Sequence, residues 1–207
     1  MAMNQPRRPA QLRPEQIELI EGEVDTAATS ELAHTTAQAV VLPRNPQTEL
    51  EPQAAARIQE IIAAEGIDSI AETWANSPHD SLPGVLWRGY LLREWVRRFG
   101  TEVELRFAAA QKVAQQDAPE KLTQVSTPAQ VRAQWDTVLR GNFTGDFAAV
   151  LRESARFTDF LGAVEPLWIE DEEHPLATQV TIRDTAMLRT SAEFRDAGEL
   201  QVRGLLQ

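Results

Sequence analysis

Trp87, Arg88, Tyr90, Arg93, Arg97 and Arg98 stand within twelve consecutive positions of one another. Guanidinium groups match planar carboxylates and phosphates, and neighbouring aromatics give a partner something to stack on. The stretch therefore has the chemistry of a phosphate or acidic-partner patch. A second grouping, Glu170-Asp171-Glu172-Glu173-His174, holds metal-ligand types, but Pro175 directly after the histidine disfavours a helical i, i+3 ligand pair. A solvated loop whose charges favour the following helix N-terminus accounts for it as well, and neither a metal nor a cofactor is expected.

The three histidines, His34, His79 and His174, are scattered, and His79 between Pro78 and Asp80 reads as a turn residue rather than a catalytic base. Phosphate-cradling G-x-x-x-x-G-K-[ST], G-x-G-x-x-G after a strand and the G-x-S-x-G elbow are all missing. No enzyme is expected. Four of the five tryptophans, Trp74, Trp87, Trp95 and Trp135, sit at helical spacing and read as core. Trp168, in Pro166-Leu167-Trp168-Ile169, falls outside a regular helix and is a candidate docking residue.

Composition narrows the partners. The formal charge is −11, and residues 1–13 carry Arg7, Arg8 and Arg13 without an acid, so the remainder is more acidic still. Such a field repels nucleic acid and anionic membrane. Only Lys112 and Lys121 are lysines, beside 18 arginines and abundant alanine, which reads as codon bias in a GC-rich genome. Zero cysteines exclude disulfides, thiol catalysis and cysteine-ligated metals. With no secretory-type apolar run at the start and no stretch near the roughly 20 apolar residues of a membrane span, a soluble cytoplasmic protein is expected.

The elements that must position these groups are helices. Residues 1–13 read as a flexible basic tail, Pro14 to Gly22 as a weak helix, Asp25 to Leu42 as a helix, and 43–48 as a connector between Pro43 and Pro46. Ala54, Ile58, Ile61, Ile62 and Glu65 recur at helical spacing, with Gly66 as a left-handed stop. Ser69 or Asp68 is expected to cap a short helix carrying Trp74, and Asp80 or Ser81 to open a central helix running to Gly100. Thr101 to Gln116 follows. Thr127-Pro128-Ala129-Gln130 is a capping box with proline at the first helical position. The helix it opens forms a hairpin across the Gly141 to Asp146 turn with the face of Phe147, Val150, Leu151, Ser154, Phe157 and Leu161. The terminal segment alternates briefly at Val180 and Ile182, then favours helix through Met187, Leu188 and Phe194. The fold class is all-α: one multi-helix domain over 14–207, of about seven or eight helices, behind the tail.

On the central helix, Leu82, Val85, Gly89, Leu92, Trp95, Val96 and Phe99 share a broad apolar face extended by Trp87 and Leu91, with Gly89 allowing a close neighbour. Arg88 projects into that arc. A buried guanidinium is costly without a carboxylate, so a partner is expected from Asp80, Glu72 or Asp146, the alternative being an anion pocket. Arg93, Arg97 and Arg98 lie off that face near the helix C-terminus, where cations suit the macrodipole.

The S-P-x-D-S-L-P-G-x-L-W-R run of Ser77 to Arg88, with Thr127-Pro128 and Thr144-Gly145-Asp146 downstream, resembles a family of all-helical actinobacterial proteins over about residues 50–195. The resemblance implies a shared helical fold and carries over no catalytic residue. The leading expectation is a non-enzymatic helical module binding a protein partner through Asp80, Trp87, Arg88, Arg93, Arg97, Arg98 or Trp168, with homo-oligomer formation left open. Two alternatives stand beside it: a small-ligand protein with a pocket near Arg88 and the tryptophans, and a nucleic-acid-associated regulator using Arg7, Arg8, Arg13 and Arg93 to Arg98, against which the net charge argues.

Overall fold

Ser81 sets the start of the central helix. Its hydroxyl accepts from the Gly84 N–H at 3.3 Å and donates to the Pro78 carbonyl at 2.7 Å, while Pro83 occupies the first turn, where no N–H is needed. The computed structural model describes residues 26–41, 52–164 and 184–207. The tail, the Pro14 to Gly22 helix, the 43–48 connector, the acidic run with His174, Trp168 and the Val180–Ile182 alternation lie outside the described residues.

In chain order the helices are α1 (Thr26–Val40), α2 (Pro52–Glu65), α3 (Asp68–Ala71) continued by a 3₁₀ turn (Glu72–Trp74), α4 (Leu82–Arg98), α5 (Gly100–Asp117) with a second 3₁₀ turn (Pro119–Thr123), α6 (Pro128–Val138), α7 (Phe147–Gly162) and α8 (Asp184–Val202). This is a compact all-α domain. Apart from an isolated bridge between Val41 and Phe143, the described residues contain no β-pairing. None of the described helices is long and apolar enough to cross a membrane.

Local signals act as expected at most ends. Thr127 and Gln130 exchange both capping-box bonds, at 2.8 and 3.3 Å, and Gly66 closes α2 at φ +88°. At α3 the expectation fails: Ile67 precedes the helix with no side-chain cap, and the Asp68 carboxylate instead accepts from the Tyr90 hydroxyl at 3.1 Å. Asp146 caps α7 through the Ala149 N–H at 3.0 Å.

α4 is enclosed by α1, the first 3₁₀ turn, α5, α6 and α8. Its broad apolar face is buried accordingly, and a Cβ at Gly89 would lie 2.0 Å from the ring of Trp135, which is how α6 comes so close. Gly84 is equally constrained, since a Cβ there would meet the Pro78 carbonyl oxygen at 1.8 Å. Trp135 donates its indole N–H to Ser154, and Trp74 to Thr36, both at 2.9 Å, so each fully buried indole is satisfied. The most intimate helix pair joins α7 to α8 rather than α6 to α7. Small residues permit it: Ala155 lies against Ser191, whose hydroxyl donates to the Ala155 carbonyl at 2.9 Å, and Gly198 sits over Leu151. On α8 Met187 and Phe194 are core, whereas Leu188 faces outward.

Candidate functional site

The polar centre of the domain is a carboxylate that the hydrophobic pattern conceals. Glu94 lies on α4 between Arg93 and Trp95, and its side chain is only 3 % exposed. A carboxylate so far from water needs charged or hydrogen-bonding partners to remain ionised. Three arginines supply them. Arg97, one helical turn on, clamps it with Nε to Oε1 at 2.9 Å and Nη2 to Oε2 at 2.6 Å. Arg98 donates Nε to Oε2 at 2.9 Å, and Arg93 donates Nη1 to Oε1 at 2.7 Å.

The network extends to a second helix. Arg93 directs Nε to Asp136 of α6 at 2.7 Å, and Arg132 stands 3.6 Å from the other oxygen of Asp136. Burial alone pushes the Glu94 pKa up, but the hydrogen bonds and charge of Arg97, followed by Arg98 and Arg93, outweigh it and hold the carboxyl below its ordinary range. Arg97 is in turn held above the usual arginine value by its bond to Glu94. The Arg97 and Arg98 side chains are 48 % and 41 % exposed, so each is anchored on its inner edge and open to solvent on its outer edge.

Trp87 and Tyr90 continue this stripe toward the start of α4, stacked with ring centroids 5.4 Å apart and both half-buried. Burial, then the charge and hydrogen bond of Asp68, push the Tyr90 hydroxyl up to about 12. Tyr90 thus stays protonated and joins α4 to α3.

Arg88 has its carboxylate, though none of the three expected. Glu193 of α8 pairs with its Nε, and Nη1 donates to the Gly84 carbonyl at 3.2 Å. Asp80 is exposed in the turn before α4, Glu72 is exposed, and Asp146 is the α7 cap. The ion pair is half-buried and ties α4 to α8, rather than fixing the loop before α4. An anion pocket at this position needs an unpartnered guanidinium, and Arg88 has a carboxylate.

Four of the expected residues, Trp87, Arg93, Arg97 and Arg98, therefore come together along one side of α4, while Asp80 and Arg88 stand apart. Arg93, Arg97 and Arg98 are not independent cations serving the helix dipole alone, because Glu94 gathers them. Sequence reasoning also passes over Arg106 of α5. It is 3 % exposed and donates to the Leu161 carbonyl at 3.0 Å and the Val164 carbonyl at 3.2 Å, satisfying orphan acceptors at the end of α7. Its position beside Val103, Phe107 and Ala110 on a helical face is the signal the sequence offers.

No protein-family model matches the chain, and no curated protein or solved structure is significantly similar to it.

Proposed function

We propose that this protein is a non-enzymatic helical interaction module, acting in the cytoplasm, whose α4 face binds an acidic segment of a partner protein. The observation that carries the reading is the arginine network. Arg93, Arg97, Arg98 and Arg132 share two carboxylates, Glu94 and Asp136, and the charge of Asp68 also reaches Arg97, which leaves one positive charge in excess on a chain of net charge −11. Guanidiniums held by an inner carboxylate lose little further freedom when they meet an outer one, which favours binding over equally charged but mobile side chains. Trp87 and Tyr90 add apolar contact area at the other end of the stripe, as interface anchors do.

Nucleic acid is the less favoured partner, since the positive excess is small against the overall negative field. The test is binding of a fluorescein-labelled glutamate-rich peptide carrying one leucine, read by anisotropy against a lysine-rich counterpart and a DNA duplex. Saturable binding of the acidic peptide alone supports the reading; preference for the duplex overturns it.

A further inference from the structure

Away from the α4 face, a cavity of about 130 Å³ opens between the second 3₁₀ turn and α7, lined by Lys121, Gln124, Val125, Arg156, Asp159 and Phe160. Its wall is apolar where Phe160 and Val125 contribute, and Phe160 is almost wholly buried. Its rim is charged. Asp159 lies 3.4 Å from Lys121 Nζ and 4.0 Å from Arg195 Nη2, so its single negative charge is already met twice. Arg156, an exposed residue of the lining, forms no ion pair or hydrogen bond among the described residues. Lys121 and Arg195 thus flank Asp159, while Arg156 lines the same cavity with its charge unmatched by a carboxylate among the described residues.

We propose that this cavity binds a small monocarboxylate with a compact apolar body, its carboxylate on Arg156 and its body against Phe160 and Val125. Size, charge and lining each select that class. The space exceeds the roughly 30 Å³ share of a water molecule and falls short of the roughly 300–1,000 Å³ of pockets for drug-sized ligands. A planar guanidinium without a partner matches a carboxylate through two parallel hydrogen bonds. The apolar wall gives an inorganic anion nothing to contact, which sets a carboxylate on a small ring or branched chain above phosphate.

The experiment is a titration of the full chain followed by ¹H–¹⁵N NMR, with benzoate as the probe, benzamide as its neutral counterpart and inorganic phosphate as an anion without an apolar body. Expected are saturable shifts of the Gln124 and Val125 amides with benzoate, binding about tenfold weaker for benzamide, the usual effect of losing a charged hydrogen-bond pair, and weaker binding of phosphate, which loses the apolar contact. Arg156→Gln, an exposed position whose change leaves the fold intact, weakens benzoate about tenfold. Asp159→Asn tightens it severalfold by removing the like charge, an effect that damage to the fold cannot imitate. Benzamide or phosphate binding as well as benzoate, an unchanged affinity in Arg156→Gln, or no saturable shift in the unaltered protein overturns the proposal.

Discussion

Glu94 and Arg97, three residues apart on α4, form a two-bond clamp of 2.9 and 2.6 Å in which the carboxylate is buried and the guanidinium half-exposed. The pair converts a buried charge into a rigid surface cation. Arg93 carries the same carboxylate to Asp136 on α6, so the network both closes a helix interface and shapes the face proposed for binding.

Replacing Glu94 by glutamine removes the negative charge and one of the two acceptor oxygens that three arginines share. Loss of one side of a buried pair costs about 3–5 kcal/mol, and because these arginines reach solvent the expectation is about 2 kcal/mol, read as a lower denaturation midpoint with an unchanged m-value. The pH dependence has a defined sign. A carboxyl whose folded pKa is depressed contributes stability above its unfolded value, near 4.5, and that contribution disappears as pH falls through the folded value. The gap between the native protein and Glu94→Gln is therefore expected to be full at neutral pH and to narrow once the solution is more acidic than the ordinary glutamate range.

Tyr90 is the single tyrosine, so tyrosinate absorbance reports it alone. Its ionisation is expected at about 12, well above the usual value, and Asp68→Asn is expected to move it back toward that value. A raised folded pKa here means that the associated stability is full below about pH 10 and is lost as the pH rises toward the folded value.

Gly89→Ala places a methyl group inside the ring of Trp135, and overpacking of this kind costs about 1–3 kcal/mol. The penalty is expected to shrink in a Trp135→Leu background. Chemical denaturation of the four proteins in that cycle measures the coupling, and additive penalties would contradict a direct clash.

The Arg88–Glu193 pair joins α4 to α8 and is mostly screened from water. A double-mutant cycle through Arg88→Met and Glu193→Gln is expected to return a coupling of about 1 kcal/mol, between the values of exposed and buried pairs. Zero coupling would remove this pair from the interactions that hold α8 in place.

Much of this architecture is legible in the residues. Thr127-Pro128-Ala129-Gln130, Ser81 with Pro83, and Gly66 each encode a helix end within a few positions, and the closeness of α6 follows from Gly89. The site is half legible. Arg93, Arg97 and Arg98 are conspicuous by type, but Glu94 is concealed by its apolar neighbours Trp95 and Val96, and helical spacing alone does not reveal that one carboxylate gathers three arginines. Glu193 is hidden because it stands 105 positions from Arg88, and only the docking of α8 brings the two together. The small residues Ala155, Ser191 and Gly198 that let α7 and α8 approach so closely carry no motif, because close packing is a property of two surfaces together.

Peptide binding to the outer edges of Arg97 and Arg98 tests the central claim most directly. The measurement is anisotropy of the labelled glutamate-rich peptide with the unaltered protein and with Arg97→Gln and Arg98→Gln, in which glutamine still offers Glu94 a donor, alongside thermal melts that verify folding. The expected result is binding that weakens with added salt and falls about tenfold in each folded variant, equivalent to about 1.4 kcal/mol for each guanidinium–carboxylate pair removed. Equal affinity of the folded variants and the unaltered protein, or binding indifferent to salt, would contradict the assignment of this face as the interface.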